Sequence, residues 1–234
     1  MISIVIPTLD EEANIGRILE ILVKQLEKDD EIIIVDSHSK DRTVEIAQKY
    51  NAKIIQMPKK GNGIARTYGA KEAKNEISVF LDADSIPSED FLKRVKKHFK
   101  EKKVVAITGL GLYTAESKIR KIIYDTYARS IFYGAKTGHA LTGRYWLASN
   151  VCAIRKDVFL EAGGYRSVIC EDTDLARRMK PSRDIIYDSK LKVFLSDRRF
   201  KKEGFSKTLG LWAMSNVKLI LGKGVDSSEY KKDY

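Results

Sequence analysis

Hydrophobic residues in the first third of the chain follow two alternating patterns. Short, almost continuous apolar runs occupy residues 2–6, 31–35, 53–56 and 77–81. Such runs are typical of strands that are buried on both faces of a parallel sheet. Between the runs, apolar residues recur three and four positions apart, which indicates one buried face of a helix. The order β-α-β-α-β-α-β predicts an α/β fold, with a mostly parallel central sheet and helices on both faces.

The later part of the chain has a less regular pattern. We predict strands over residues 104–108, 146–154 and 184–196. Apolar residues spaced by three and four between positions 119 and 131 predict a helix. The glycine-containing segment 134–143 is expected to be a flexible loop. Because it precedes the second half of the fold, this loop is a candidate lid over a binding site.

One more amphipathic helix is predicted near the C-terminus, over residues 208–221. It is too short and too polar to span a membrane, and Trp212 with neighbouring lysines is typical of a helix at a lipid interface. Packing against the sheet, or against a second subunit, would explain the same pattern. Peripheral membrane contact and a homodimer therefore both stay open. We expect residues 223–234 to be frayed.

The fourth predicted strand ends in two carboxylates, in the stretch Phe80-Leu81-Asp82-Ala83-Asp84. In open α/β sheets, ligands bind at the carboxyl ends of the strands. Two neighbouring carboxylates repel each other unless a cation lies between them, and hard oxygen ligands suit Mg²⁺ or Mn²⁺ held jointly with substrate phosphates. A D-x-D motif alone is weak, because a turn before Pro87 would explain the same residues.

The polar residues after the first strand exclude two common nucleotide-binding loops. Neither G-x-G-x-x-G nor G-x-x-x-x-G-K-[ST] occurs, and the first strand is followed by Pro7-Thr8-Leu9-Asp10-Glu11-Glu12. Acidic residues at this place favour contacts with a base and with ribose hydroxyls. The phosphates would then be carried by a metal ion at Asp82 and Asp84.

The composition favours an anionic partner. Lys and Arg number 43 against 32 Asp and Glu, which gives a net charge of +11. Nucleotide phosphates or an acidic lipid surface would suit this charge. A nucleic-acid-binding module is disfavoured, because the basic residues are scattered and the strand ends that should face a ligand are acidic.

Two further features concern compartment. Cys152 and Cys170 lack C-x-x-C spacing, so no zinc site is indicated and reduced thiols are expected. We find no signal-peptide pattern and no run of about 18 apolar residues. We therefore expect a cytoplasmic protein, associated with the inner face of the cell membrane if the C-terminal helix contacts lipid.

Taken together, five short motifs resemble the inverting glycosyltransferases of family 2. They are Val5-Ile6-Pro7-Thr8-Leu9-Asp10-Glu11-Glu12, Val35-Asp36-Ser37, Gly63-Ile64-Ala65-Arg66, Phe80-Leu81-Asp82-Ala83-Asp84 and Glu171-Asp172-Thr173-Asp174-Leu175. The resemblance implies a GT-A fold, which is Rossmann-like, over residues 1–205. Its nucleotide-sugar half would be 1–108 and its acceptor half 109–205, with the helix and tail at 206–234.

The resemblance also implies a donor site for a UDP- or GDP-sugar, with Mn²⁺ or Mg²⁺ as cofactor. The metal ligands would be Asp82 and Asp84. The residues implied in nucleotide-sugar binding are Pro7, Thr8, Leu9, Glu11, Asp36, Arg66, Asp82, Ala83, Asp84, Arg198 and Arg199. The chain has Asp10 where the family usually has Asn, and Ser37-His38-Ser39 replaces a more acidic loop. The second difference leaves the nucleobase open.

An acidic pair, Glu171 and Asp172, opens a predicted helix in the second half. Acidic residues are favoured at helix N-termini in any case, so the pair has a structural explanation. The apolar residues before it would bury part of the pair and raise a carboxylate pKa towards that of a base. The resemblance implies that Asp172 is the general base and that Glu171 orients the acceptor.

The basic segment 197–204 and the acceptor each leave alternatives. Arg198 and Arg199 suit a departing diphosphate, although a solvated charge run would look the same. The acceptor would be a glycan or a lipid-linked hydroxyl. A polyprenyl-phosphate acceptor is one alternative, and a sugar-phosphate nucleotidyltransferase is another. The nucleotidyltransferase would require a glycine-rich basic loop after the first strand.

Overall fold

In the computed structural model, residues 1–58, 61–182 and 184–220 are described. Their strands form one eight-stranded sheet with the order β3-β2-β1-β4-β7-β6-β8-β5. The strands are β1 Ser3–Thr8, β2 Glu31–Asp36, β3 Lys53–Gln56, β4 Ile77–Phe80, β5 Ile86–Pro87, β6 Ala106–Tyr113, β7 Cys152–Arg155 and β8 Ile185–Leu195. The helices are α1 Ile15–Val23, α2 Thr43–Gln48, α3 Asn62–Glu72, α4 Phe91–Phe99, α5 Lys118–Thr142, α6 Lys156–Glu161, α7 Glu171–Arg178, α8 Arg198–Glu203 and α9 Phe205–Ile220.

The four strands of the first half pair in parallel, as the sequence predicts. β1 lies between β2 and β4, and β3 pairs with β2. Successive side chains of a strand point to opposite faces, so Ile4 and Ile6 enter one apolar cluster while Val5 enters the other. Both faces of the sheet are therefore covered. This explains why the strands read as continuous apolar runs.

The second half adds a mixed region to the same sheet. β7 is antiparallel to both β4 and β6, and β6 is parallel to β8 with an irregularity between Gly109 and Leu110. A Cβ at Gly109 would lie 2.7 Å from a methyl group of Val151 and closer still to the Leu191 carbonyl oxygen. The absence of a side chain at Gly109 therefore lets β6 pass close to Val151 and to the backbone of Leu191. The carboxyl end of β6 reaches the same edge of the sheet as the ends of β1 and β4.

The prediction of a flexible loop, and with it of a lid, at 134–143 is wrong, because α5 continues as one helix to Thr142. Phe132 and His139 pack against the ring of Tyr187, at centroid distances of 5.8 and 5.5 Å. Glycine inside a helix costs about 1 kcal/mol relative to alanine. The packing of the buried face offsets that cost, and the helix ends only at Gly143, which has a positive φ of 69°.

Three other boundaries differ from the sequence predictions. The strand predicted at 146–154 is confined to β7, and residues 146–151 form an irregular segment instead. A helix, α8, occupies most of the basic segment 197–204. The short strand β5 was not predicted, because Pro87 lacks an amide hydrogen for a sheet ladder.

The C-terminal helix is present as α9, three residues earlier at its start than predicted. Position 221 and the tail 223–234 lie outside the described residues. In the part of the chain that the structure covers, each helix is either too short or too polar to cross a bilayer.

Candidate active site

A cleft of about 680 Å³ opens at the carboxyl ends of β1, β4 and β6. Its floor and one wall come from the β1 and β4 exits and from the glycines of β6. A second wall comes from the first turn of α7, and α3, α5, α8 and α9 contribute further lining residues. The predicted site residues that line this cleft are Pro7, Leu9, Glu11, Arg66, Asp82, Ala83, Asp84, Glu171, Asp172, Arg198 and Arg199.

Two acids at the strand exits share one arginine from α8. Arg198 Nη2 donates to Glu11 Oε1 at 2.6 Å, and Arg198 Nε lies 3.1 Å from Asp84 Oδ2. Burial and the nearby charge of Asp82 raise the pKa of Asp84 to about 6, and Arg198 opposes this shift. A cationic group thus already stands between carboxylates that would otherwise repel each other.

A buried arginine joins the β4 exit to α7. Arg66, on α3, forms ion pairs with both Asp82 and Glu171. Its side chain is only 3% exposed. Burial disfavours its charge, but the two carboxylates raise the pKa of Arg66, so it stays protonated. Through these two ion pairs, Arg66 holds the segment after β4 close to the start of α7.

Asp172 lies in the first turn of α7, on the wall of the cleft. Burial raises the pKa of Asp172 to about 6, while hydrogen bonds from the Thr173 amide and the Trp146 side chain lower it. The Thr173 amide donates to Oδ1 at 2.8 Å. The Trp146 side chain also lines the cleft, and its indole N–H can only donate. A base of this pKa is mostly ionised at neutral pH and still accepts a proton.

Thr8 and Asp36 are the two predicted binding residues that do not line the cleft. Both are buried. The Asp36 carboxylate accepts hydrogen bonds from the Thr8 hydroxyl at 3.0 Å and the Ser39 amide at 2.9 Å. In this position Asp36 holds the loop after β2, and Ser37 of that loop lines the cleft.

Sequence reasoning missed several lining residues. Trp146 was assigned to a strand, and Tyr113 and Trp212 were not singled out as site residues, although all three line the cleft. Trp146 lies between Tyr145 and Leu147, and these apolar neighbours favoured the strand prediction. Nothing local indicated that Trp146 would line the same cleft as Asp172.

The acidic side chains fit a divalent ion that is shared with a substrate. Within the described residues, no three His, Cys, Asp or Glu side chains are grouped closely enough to hold a metal alone. Mg²⁺ is commonly bound by one or two carboxylates together with substrate phosphates and waters. Asp82 and Asp84 supply such carboxylates at the cleft, where Asp82 pairs with Arg66 and Asp84 with Arg198.

Residues 3–163 match Glycosyl transferase family 2. The chain belongs to this family. It is therefore a transferase, and the predicted family is confirmed. A relative from Methanococcus voltae, "Dolichyl N-acetyl-alpha-D-glucosaminyl phosphate 3-beta-D-2,3-diacetamido-2,3-dideoxy-beta-D-glucuronosyltransferase", is 32% identical over 158 residues, which cover 58% of this chain and 49% of that protein. The chain spans about half or less of the length of the first curated relatives it matches.

Several solved structures share the fold of this chain. The S. aureus TarS fragment 1–349 in complex with UDP-GlcNAc has a TM-score of 0.65 at 19% identity, covering 83% of this chain and 58% of that one. The mannosyltransferase PcManGT from Pyrobaculum calidifontis, in complex with GDP-Man and Mn²⁺, has a TM-score of 0.58 at 18% identity, with coverages of 82% and 56%. The predicted GT-A fold, an α/β Rossmann-like fold with a mostly parallel sheet, is confirmed.

Proposed function

We propose that this family 2 glycosyltransferase moves a sugar from a nucleoside-diphosphate sugar to an acceptor hydroxyl with inversion, assisted by a divalent ion. The observation that carries the proposal is that Asp82, Asp84 and Asp172 line one cleft. Two of these carboxylates come from the β4 exit and the third from α7. The cleft therefore offers a metal-binding wall and a base-bearing wall to one substrate.

The donor would lie across the β1 and β4 exits. Pro7, Leu9 and Glu11 line that part of the cleft and would contact the base and ribose. Two solved relatives support a nucleotide sugar, since they hold UDP-GlcNAc or GDP-Man. Mn²⁺ or Mg²⁺ at Asp82 and Asp84 would neutralise the negative charge of the diphosphate. We leave UDP and GDP as equal candidates.

Asp172 would accept the proton of the acceptor hydroxyl at a carboxylate oxygen. Its pKa of about 6 suits this task at neutral pH, and the hydrogen bond from the Thr173 amide would hold its orientation. The acceptor oxygen then bonds to the anomeric carbon as the bond to the diphosphate breaks. With attack from the α7 side and departure of the diphosphate towards the β4 exit, the configuration would invert.

Four charged neighbours would support the transfer. Arg198 and Arg199 line the cleft beside the acidic exits and would donate to the departing diphosphate. Glu171 would orient the acceptor from the first turn of α7. Arg66 would act as a positioning residue, because its charge is engaged by Asp82 and Glu171.

The acceptor is either a glycan or a lipid-linked hydroxyl. The name of the Methanococcus voltae relative specifies a dolichyl-phosphate-linked sugar, which supports the lipid-linked class. A polyprenyl phosphate remains an alternative acceptor, and as an anion it would need no general base. Membership of the glycosyltransferase family favours sugar transfer to any of these acceptors over the alternative of a sugar-phosphate nucleotidyltransferase.

The first test is release of nucleoside diphosphate from a panel of UDP- and GDP-sugars, without acceptor, in Mn²⁺, Mg²⁺ or a chelator. We expect metal-dependent hydrolysis of one donor class. Asp84→Asn should abolish it. Asp188→Asn is the matched control, because Asp188 binds His98 outside the cleft, at 3.0 Å. Hydrolysis of none of the donors, or hydrolysis that ignores the metal, would contradict the proposal.

The second test separates the two acceptor classes. Asp172→Asn should lower transfer to a hydroxyl acceptor by roughly 10²–10⁴-fold while donor affinity stays unchanged. Full transfer by this variant to a hydroxyl acceptor would show that Asp172 is not the base. Full transfer to a polyprenyl phosphate would instead support the phosphate-acceptor alternative.

A further inference from the structure

Exposed apolar side chains concentrate on two helices. Of the 11 large hydrophobic side chains exposed in the described part of the chain, eight lie on α5 and α9. We call these eight the α5–α9 surface: Ile119, Ile122, Ile123, Ile131, Tyr133, Leu141, Met214 and Val217. The other three lie on separate elements or at the N-terminus. Single exposed apolar residues are ordinary, whereas a concentration of them marks an interaction site.

The α5–α9 surface adjoins the rim of the cleft. Ile131 belongs to both, and Tyr127 of α5 and Trp212 of α9 line the cleft beside it. The two helices contact each other, since the ring of Phe205 at the start of α9 lies 4.9 Å from that of Tyr124 on α5. An occupant of this surface would therefore stand next to the opening through which an acceptor enters.

The exposed charges carried by α5 and α9 are basic. The exposed ionisable residues of α5 are all basic: Lys118, Arg120, Arg129 and Lys136. Asp125, the acidic residue of α5, is half-buried and pairs with Lys121 at 2.8 Å. Helix α9 contains no Asp or Glu, and its exposed Lys207 adds another positive charge. Apolar side chains mixed with lysine and arginine are typical of helices that lie in the surface of an anionic bilayer.

We propose that the α5–α9 surface docks on an anionic lipid bilayer, with the cleft opening at the lipid surface, and that the acceptor is accordingly lipid-linked. The statement about the acceptor rests on the proposed function, whereas docking does not. A second copy of this chain is a poorer occupant. Two-fold pairing would place the same basic residues against each other, in a protein that already carries a net charge of +11.

The test is co-sedimentation of the full chain with phosphatidylcholine vesicles, with and without phosphatidylglycerol. We expect binding to the anionic vesicles that weakens as salt is raised, and little binding to the neutral ones. The variant Ile119→Ser, Ile122→Ser, Ile123→Ser should bind the anionic vesicles at least about tenfold more weakly. These three side chains do not line the cleft, so hydrolysis of the donor in solution should be unchanged.

A matched control replaces exposed apolar residues elsewhere. Val23→Ser with Tyr68→Ser removes two exposed side chains from α1 and α3 and should leave vesicle binding unchanged. The melting temperature of each variant checks that it folds. Because all the replaced side chains are exposed, we expect changes of stability near zero.

Three outcomes would overturn the docking proposal. They are no binding of the wild-type chain to anionic vesicles, equal binding by the isoleucine variant, and a wild-type dimer that the isoleucine variant abolishes in the absence of lipid. Failure of the proposed function is distinguishable. A chain that binds the vesicles but hydrolyses no sugar nucleotide keeps the docking proposal and loses the glycosyltransferase assignment of the cleft.

Discussion

At the scale of single residues, ion pairs between charged side chains hold the cleft together. Arg66 is buried and joins Asp82 to Glu171. Removal of one partner from a buried ion pair typically costs about 3–5 kcal/mol, because the remaining charge loses its compensation. The guanidinium also has a fork shape that a lysine ammonium lacks. Both its charge and its geometry should therefore matter.

We predict that Arg66→Lys lowers kcat/KM by at least about tenfold and lowers the melting temperature. Lysine keeps the charge, but its ammonium group lacks the planar fork with which the arginine holds the two carboxylates in one geometry. Arg94→Lys is the matched control, since Arg94 also contacts two carboxylates, those of Asp90 and Asp188, outside the cleft. The control should change stability without changing kcat/KM. Equal activity of the Arg66→Lys variant and the wild type would refute the positioning role.

The raised pKa of Asp172 predicts a pH dependence. Because a base must be unprotonated, kcat/KM should rise with pH through about 6. Asp84 titrates in the same range, so the profile should be measured at saturating Mn²⁺, which holds Asp84 ionised. The part of the profile that does not move with metal concentration then reports Asp172. If the rise of kcat/KM with pH disappeared entirely at high metal concentration, the titrating group would be Asp84 instead.

The same shift has a consequence for stability. The folded pKa of Asp172, about 6, lies above the value of about 3.9 for unfolded Asp, so the folded protein binds the extra proton between these pH values. Ionised Asp172 therefore lowers the stability of the folded state, and this effect is complete above about pH 6. Below about pH 4 the effect is absent. The Asp172→Asn variant should melt at a higher temperature than wild type at neutral pH, and this difference should shrink on acidification.

At the scale of elements, the close approach of α3 to the sheet depends on a glycine. A Cβ at Gly69 would lie 2.8 Å from a methyl group of Val35 and closer still to Val5. Both valines are fully buried, so neither can move into solvent. Arg66 lies on the same helix, three residues before Gly69. The packing of α3 on β1 and β2 thus places the arginine that joins the two acidic walls.

Gly69→Ala should destabilise the protein by about 1–3 kcal/mol, the usual cost of overpacking, although alanine is the better helix former. Gly134→Ala on α5 is the opposite control, since nothing lies within 4 Å of the added methyl group. That variant should gain up to about 1 kcal/mol. Urea unfolding measures both. If the two variants shifted stability in the same direction, close packing at Gly69 would not be its cause.

At the scale of the whole molecule, the sheet joins the two predicted halves. β4, from the first half, pairs with β7 over four residues, from Ile77 opposite Arg155 to Phe80 opposite Cys152. The ring of Phe80 packs against Phe159 at 4.9 Å and Tyr165 at 5.4 Å. The division at residue 108 stays a prediction about function, while the hydrophobic core crosses it.

We therefore predict that a fragment of residues 1–108 lacks a cooperative unfolding transition. Without β7 it would expose the edge of β4 and the ring of Phe80, so aggregation should compete with folding. Urea unfolding followed by circular dichroism, with the full chain as reference, measures this. A sharp transition in the fragment would show that the first half is an independent domain.

The sequence by itself determined the features that depend on neighbouring residues. Continuous apolar runs fixed the parallel strands of the first half, because burial on both faces leaves no polar positions. The acids at the strand exits were visible for the same reason, since Asp82 and Asp84 follow an apolar run directly. The amphipathic helix α9 was also legible from its spacing.

Only the tertiary structure decided the features that join distant parts of the chain. The Arg66–Glu171 pair spans 105 positions, and the antiparallel insertion of β7 between β4 and β6 has no local signal. Local glycines favoured a loop at 134–143, but packing of Phe132 and His139 against Tyr187 produced a helix. Hydrophobic burial and ion pairing act between residues that are close in space, so their outcome depends on the complete fold rather than on local sequence.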